Sequence, residues 1–352
     1  MGIIDERGLW VHSIYDETNE VYLSQIKADL VGFWKPQIVF SAVKLGLIEY
    51  LSSKGKNRIK KIAKDININE DGLWRLSRAL ASMEYLTIEG EEVGLDKKGA
   101  ILNDKLNYAA LMWGEEHFIA FSRLSDVIKK GRSVFQEIYG KPFFDYIADD
   151  SNKLLSYQKA IAQYAALDYA EIPKLIDFSK HQVLMDVGGG TGVLLKLIMQ
   201  HYQNIKGKLL ESPQVVEMIR EHKLIRDQTT QELEIIPGNF LDKIPKGADG
   251  IILSRVIHDW DDNHAQKILS NVHKALTKEG LLYIIEISRA EKYDKDLGLS
   301  LDLNMFCITN GRERTFQELQ LLIAQGGLKI KDVKYTGILT IFICYKPSND
   351  IL

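Results

Sequence analysis

From Leu23 to about Tyr169 the apolar residues recur mostly three and four positions apart, the period of amphipathic helices. Within that stretch, RIKKIAKDININEDGLWRLSRALASMEYLTIEGEEVGLDKKG predicts a helix, a turn, a second helix and a two-stranded wing. Asn69 stands where it would cap the second helix, and Glu70 and Asp71 suit the positive end of that helix's dipole. After Asp177 the pattern changes to short apolar runs, VLMDV, KLLE, LEII, GIILS and LLYIIEI, separated by segments of helical period. That alternation describes βαβ units and a parallel sheet. LKIKDVKY and ILTIFICY, joined at Thr336-Gly337, predict an antiparallel hairpin at its edge. The expected fold is α/β: a doubly wound, mostly parallel seven-stranded sheet behind a mainly helical, winged-helix N-terminal region.

A chain of 352 residues exceeds one ordinary domain, and 45% hydrophobic with 26% charged residues is a globular composition. No run is apolar for long enough to span a membrane. The start, MGIIDERGLWVHSIYDE, lacks a secretory pattern, and Glu6 stands where a myristoylation site needs Ser or Thr. A net charge of −3 with both signs interspersed argues against a polyanion partner. The helix-turn-helix pattern raises DNA binding, but the would-be recognition helix opens on Glu70-Asp71 and continues with Leu73, Trp74, Leu76 and Leu80. Repulsion and apolarity favour packing or dimerisation. Only Cys307 and Cys344 occur, with no Cys/His cluster, so no disulfide framework and no metal site is expected, and a cytoplasmic location fits best.

The first strand of the α/β region runs into DVGGGTGVLLKLI, Asp186 to Ile198. Glycines let a chain turn sharply from strand to helix and let a ligand touch the backbone at the helix N-terminus. Val193 after Gly192 excludes a P-loop, and Gly188, Gly190 and Gly192 give GxGxG where a dinucleotide loop has GxGxxG. The next strand ends at Glu211, about 20 residues on, where an acid can accept from both ribose hydroxyls. With the acid Asp186 ahead of the glycines, the segment resembles the first motif of class I S-adenosyl-methionine methyltransferases. That resemblance implies a cofactor site built from Asp186, Gly188, Gly189, Gly190, Gly192 and Glu211. It adds Gly238-Asn239-Phe240, matching a Gly-Asp-Phe segment beside adenine with Asn for Asp, and Ser254 and Arg255 at the fourth strand's end.

The fourth strand, GIILSRVI, delivers His258, Asp259 and Trp260 to the carboxyl edge of the sheet, where ligands of such folds bind. HDW at His258 to Trp260, Glu286 ending the fifth strand, and GRERT at Gly311 to Thr315 together resemble the small-molecule O-methyltransferases that include plant phenolic and hydroxyindole enzymes. The resemblance runs over essentially the whole chain and implies an intertwined homodimer formed by the N-terminal region. It also implies His258 as general base, with Glu286 and Glu313 as the carboxylates that hold the imidazole. A phenol with pKa near 10 is scarcely ionised at neutral pH, whereas histidine near 6.5 is free to take its proton. Asp259, Asn304 and Met305 match acceptor-contacting positions, with Ile308 where the hydroxyindole branch has Gln. The helices before Asp177 would lid the pocket, and Trp113, His117, Phe121 and Tyr164 are candidate lining residues.

The resulting division is a dimerisation domain over 1–105, a pocket-lining helical segment over 106–176 and a cofactor-binding methyltransferase domain over 177–352. The expected activity is methyl transfer to a hydroxyl of a small aromatic acceptor, without nucleic acid or membrane. Transfer to carbon or nitrogen keeps the same fold and cofactor, and a ligand-sensing DNA-binding regulator is the reading from another class.

Overall fold

The computed structural model describes residues 3–4, 10–11, 17–225, 232–288 and 297–347, so most of the start tested for a leader lies outside the described residues. Two compact units divide between Asp104 and Lys105. In the first, α1 (Glu17–Leu30), α2 (Trp34–Lys44), α3 (Leu47–Lys54), α4 (Ile59–Asp65) and α5 (Glu70–Ser82) are followed by a hairpin. Its strands β2 (Leu86–Glu89) and β3 (Glu92–Leu95) pair antiparallel, and β1 (Asn57–Arg58) joins the β3 side. Asn69 caps α5 by accepting from the Gly72 N–H at 2.9 Å. Leu47, Ile48, Leu51, Ile62, Leu73, Leu80 and Val93 are fully buried, so the apolar stripes of α3, α4 and α5 form this unit's core.

The second unit begins with helices, among them α6 (Asn107–Gly114), α7 (Glu116–Phe121), α8 (Phe143–Ala148) and α9 (Ser151–Asp168). Seven strands follow: β4 (Val183–Val187), β5 (Lys206–Glu211), β6 (Leu233–Pro237), β7 (Gly250–Ser254), β8 (Leu281–Glu286), β9 (Lys329–Thr336) and β10 (Leu339–Tyr345). They lie in the order β9-β10-β8-β7-β4-β5-β6, with β8 to β6 all parallel and β10 antiparallel to both neighbours. Successive side chains of a strand face opposite sides of a sheet, and here each side has its own core. Leu184, Leu209, Ile252 and Tyr283 face one, while Met185, Leu210, Leu253 and Leu282 face the other. Burial on both faces explains why the sequence shows unbroken apolar runs in place of alternation.

From β4 the chain winds outward to β5 and β6, then returns to the other side of β4 with β7 and β8. The carboxyl ends of β4 and β7, neighbours in register at Asp186 and Ile252, therefore flank the point where winding reverses. Such a switch point opens a crevice, because the two connections leave in opposite directions.

Five further helices follow. Gly192, in the left-handed conformation, starts α10 (Val193–His201), Ser212 caps α11 (Pro213–Glu221) and Asp261 caps α12 (Asp262–Ala275). α13 (Leu297–Ile308) packs on α7, and α14 (Phe316–Gln325) opens with a capping box in which Thr315 and Glu318 exchange hydrogen bonds. Among the described residues no helix is long and apolar enough to cross a membrane.

Candidate active site

Gly188 and Gly190 hold φ of +71° and +57°, which L side chains rarely adopt. A Cβ on Gly188 would lie 3.0 Å from Val256 and 3.3 Å from Phe240. The glycine loop, the segment after β6 and the continuation of β7 thus meet at one point. A Cβ on Gly189 would overlap the Asp186 carboxylate, and one on Gly190 would lie 2.8 Å from Gln158 Oε1, which reaches over from α9. Glu211 accepts from the Gly190 N–H and the Ser212 N–H, each at 2.8 Å, while its own carbonyl receives the Gly238 N–H. Asn239 is exposed and turns its Oδ1 onto the Leu241 N–H.

The acids of this loop are starved of water and of cations. Burial pushes Asp186 up to about 7, helped by the Glu211 charge, and Glu211 likewise to about 7 against two backbone N–H bonds. Asp186 Oδ1 and Gln158 Oε1 are buried without a hydrogen-bond partner. A cradle of small residues, bare acceptors and carboxylates suits a ligand with an ammonium and hydroxyls and repels a phosphate. S-adenosyl-methionine has that chemistry, so the residues present fit it.

β7 stops at Ser254, three residues short of the strand expected from GIILSRVI. Arg255 takes φ +55°, and Ile257–Asp259 form a single 3₁₀ turn whose Ile257 N–H is accepted by Glu286 Oε1 at 2.9 Å. The turn leaves His258 only 6% exposed, and its Nδ1–H donates to Glu313 Oε1 at 2.6 Å. Its Nε2 faces Asp259 Oδ1 at 3.8 Å. Glu286 thus holds the backbone of the turn and not the ring, while Glu313 alone hydrogen-bonds the imidazole.

Burial by itself would lower the His258 pKa, but Glu313, Asp259 and Glu286 outweigh both burial and the Arg255 charge and raise it to about 9. The expectation of a free imidazole near 6.5 is corrected on this point, because three carboxylates surround the ring. Burial raises Asp259 to about 6 and also pushes Glu286 up, with His258 opposing in each case. His258, Glu286 and Glu313 bring one donor atom each within 4.8 Å of one another, a spacing that a metal ion can also bridge. The short Nδ1 to Oε1 contact has the length of a charge-assisted hydrogen bond.

The expected acceptor residues fall on two helical surfaces. Asn304 and Met305 are buried on α13, tied to the site by the Glu313 N–H, which donates to Asp302 on the same helix at 2.9 Å. The Trp113 Nε1–H donates to the Tyr164 hydroxyl at 2.8 Å, and Trp113 stands edge-on to His117 at 5.0 Å. Burial lowers His117 to about 4, so its ring is neutral. Phe121 is 39% exposed. Sequence reasoning missed Phe143 and Phe144. Phe144 stacks on Trp260 at 6.1 Å and Phe143 meets His117 at 5.5 Å, linking the His258 turn to the Trp113–His117 aromatics. A cavity of about 200 Å³ lies against His117, Phe143 and Tyr157.

Comparison with known proteins agrees with this geometry. Residues 121–329, more than half of the chain, match the model of an O-methyltransferase domain, and residues 29–97 match an O-methyltransferase dimerisation domain. The chain is 28% identical over 323 residues to the phenazine O-methyltransferase PhzM of Lysobacter antibioticus, covering 90% of this chain and 94% of that one. It resembles the crystal structure of LaPhzM with a TM-score of 0.88 at 26% identity over 93% of this chain and 99% of the other. A third likeness is to the O-methyltransferase NcsB1 from neocarzinostatin biosynthesis, crystallised with S-adenosylmethionine and 2-hydroxy-5-methyl naphthoic acid. There the TM-score is 0.77 at 26% identity, with 89% and 96% covered.

Proposed function

The chain belongs to the O-methyltransferase family, and from that premise we propose that it methylates a hydroxyl of a small, planar aromatic acceptor with His258 as general base. It is an enzyme dependent on S-adenosyl-methionine, which supplies an electrophilic methyl carbon on a sulfonium. Asp186 and Glu211 would hold the ammonium and ribose hydroxyls at the glycine loop. Gly238, Asn239 and Phe240 would border the adenine, and Ser254 and Arg255 would complete the wall.

What the reaction needs from the protein is an alkoxide-like oxygen in line with that carbon. His258 Nε2 takes the hydroxyl proton while Glu313, bonded to Nδ1, fixes the tautomer and stabilises the imidazolium that forms. A raised pKa makes His258 a strong base once its own proton has left. It releases that proton more readily when further positive charge shares the field of Asp259, Glu286 and Glu313. Asp259, Asn304, Met305, Trp113, His117, Phe121 and Tyr164 hold the acceptor, and orientation is worth as much as the base. No metal is assigned a role.

The observation that carries this reading is the buried His258–Glu313 pair at the switch point beside the glycine loop. His258→Ala is expected to keep cofactor affinity and to slow single-turnover methyl transfer by about 10²-fold or more. Transfer at the wild-type rate would remove His258 as the base.

We also infer a homodimer formed by the first unit, supported by the dimerisation match and by exposed apolar side chains on α1 and at the start of α2. A cytoplasmic location is inferred from cysteine usage, since both cysteines are unpaired and buried.

A further inference from the structure

We propose that Arg314 is a positioning residue for methyl transfer: it clamps the turn that carries His258 and so sets the distance between that imidazole and Glu313. The inference rests on His258 acting as the base.

The turn after β7 lacks the ladder bonds of a strand, and its carbonyls need other donors. The Ile257 carbonyl accepts the Trp260 N–H at 3.2 Å within the turn, and the GRERT segment supplies further donors. The buried Arg314 guanidinium donates from Nη1 to the Ile257 carbonyl at 3.1 Å and from Nη2 to the Trp260 carbonyl at 2.9 Å. The Arg312 N–H answers the carbonyl between them, that of His258, at 2.8 Å. Asp262, the first residue of α12, completes the fork by accepting from Nε at 3.0 Å and Nη2 at 2.7 Å. Gly311 lies flush beneath, where a Cβ would come within 2.1 Å of the His258 carbonyl oxygen.

The loop that presents Glu313 to the ring is therefore locked to the backbone beside that ring through the very next residue. The planar guanidinium serves two carbonyls and a carboxylate from three nitrogens in a fixed fork; an ammonium has its three N–H on one nitrogen at the end of a flexible stem and does not hold that spacing. Arg314 touches neither the imidazole nor the ligand loop, so its influence is geometric. Around the ring stand Glu313 from the GRERT loop, Asp259 from the turn itself, Glu286 from β8 and Arg255 after β7. Loosening the clamp lets the His258 turn and the Glu313 loop, which it joins, drift apart.

Single-turnover methyl transfer with S-adenosyl-methionine and a phenolic acceptor, followed against pH in the full-length protein, tests this. Arg314→Lys is expected to lower the high-pH plateau rate by about tenfold or more, since small misplacements of a base are costly. Its acid limb should move to lower pH, because a more distant Glu313 supports the imidazolium less. Cofactor affinity by calorimetry should stay within about twofold. Asp262→Asn, at a side chain 60% exposed and so safe for folding, should shift both readouts the same way by less. Wild-type rate and limb in both variants would overturn the proposal, as would rates lowered at every pH with no movement of the limb. His258→Ala serves as the reference. A fast His258→Ala defeats the base assignment and the proposal with it, whereas a slow His258→Ala beside an unaffected Arg314→Lys defeats the proposal alone.

Discussion

An imidazole with a pKa of about 9 holds its proton at neutral pH, so the state of His258 depends on what shares its pocket. Glu313 is the largest influence raising it, and Glu313→Gln removes that charge while leaving an acceptor near Nδ1. The His258 pKa should fall toward or below 6.5, read as the ring resonance in a histidine NMR titration of the cofactor-free protein. An unmoved titration would show that Glu313 does not control the base. The same shift acts on stability: His258 contributes stability present below its unfolded pKa near 6.5 and lost as pH rises through about 9. Asp186 and Glu211 titrate the other way in function. Both sit near 7, and a ligand that brings an ammonium and hydroxyls favours their charged forms. Affinity for S-adenosyl-methionine should therefore rise between about pH 6 and 8, with protons released to the buffer on binding. Calorimetry in buffers of different ionisation enthalpy measures that release, and proton uptake would refute the assignment.

Elements rather than single residues bring the base and its carboxylate together, and Gly311 is where two of them touch. Gly311→Ala would push a methyl into the His258 and Asp259 backbone, at 2.1 and 2.7 Å, with no flexible side chain able to yield. The expected cost is about 1–3 kcal/mol of stability, from thermal or denaturant unfolding, with a slower transfer step in the protein that remains folded. A variant as stable and fast as wild type would mean that the loop and turn separate freely. This contact also marks the limit of what could be read in advance. The central strands were visible as short apolar runs because burial on both faces leaves that trace, the edge pair as a hairpin joined at Thr336-Gly337, and HDW and GRERT as side chains. Two of Arg314's partners are carbonyls, which every residue carries, and the third, Asp262, lies far off in sequence, so its task left no signal. Glu286 was read as a partner of the imidazole, yet it accepts a backbone N–H of the turn. Gln158 lies far from Gly190 in sequence, and nothing in local spacing predicts that α9 reaches over the loop.

At the scale of the whole molecule, the helix-turn-helix pattern of the first unit could have meant DNA or self-association. α5 opens on Glu70 and Asp71, charges that repel phosphates, and Asp71 holds Arg75 in an ion pair at 2.8 Å. The apolar surface lies elsewhere. Val21, Tyr22, Leu23, Ile26 and Leu30 of α1 are 49–72% exposed, and Phe33 and Trp34 follow at 52% and 56%. A monomeric protein rarely displays so many large apolar side chains along one stretch, so a second copy is the economical cover. Sedimentation at micromolar concentration should give a dimer. Ile26→Glu with Trp34→Glu places two charges in that surface, and burying them unpaired is costly enough to shift the protein to monomer. A wild-type monomer at those concentrations, or a double variant that stays dimeric, would move the interface elsewhere. Because the glycine loop, His258 and Glu313 all lie in the second unit, cofactor affinity should survive in the monomer. Methyl transfer should also survive dialysis against a chelator, since the bond that orients His258, from its Nδ1–H to Glu313 Oε1, is made by protein groups.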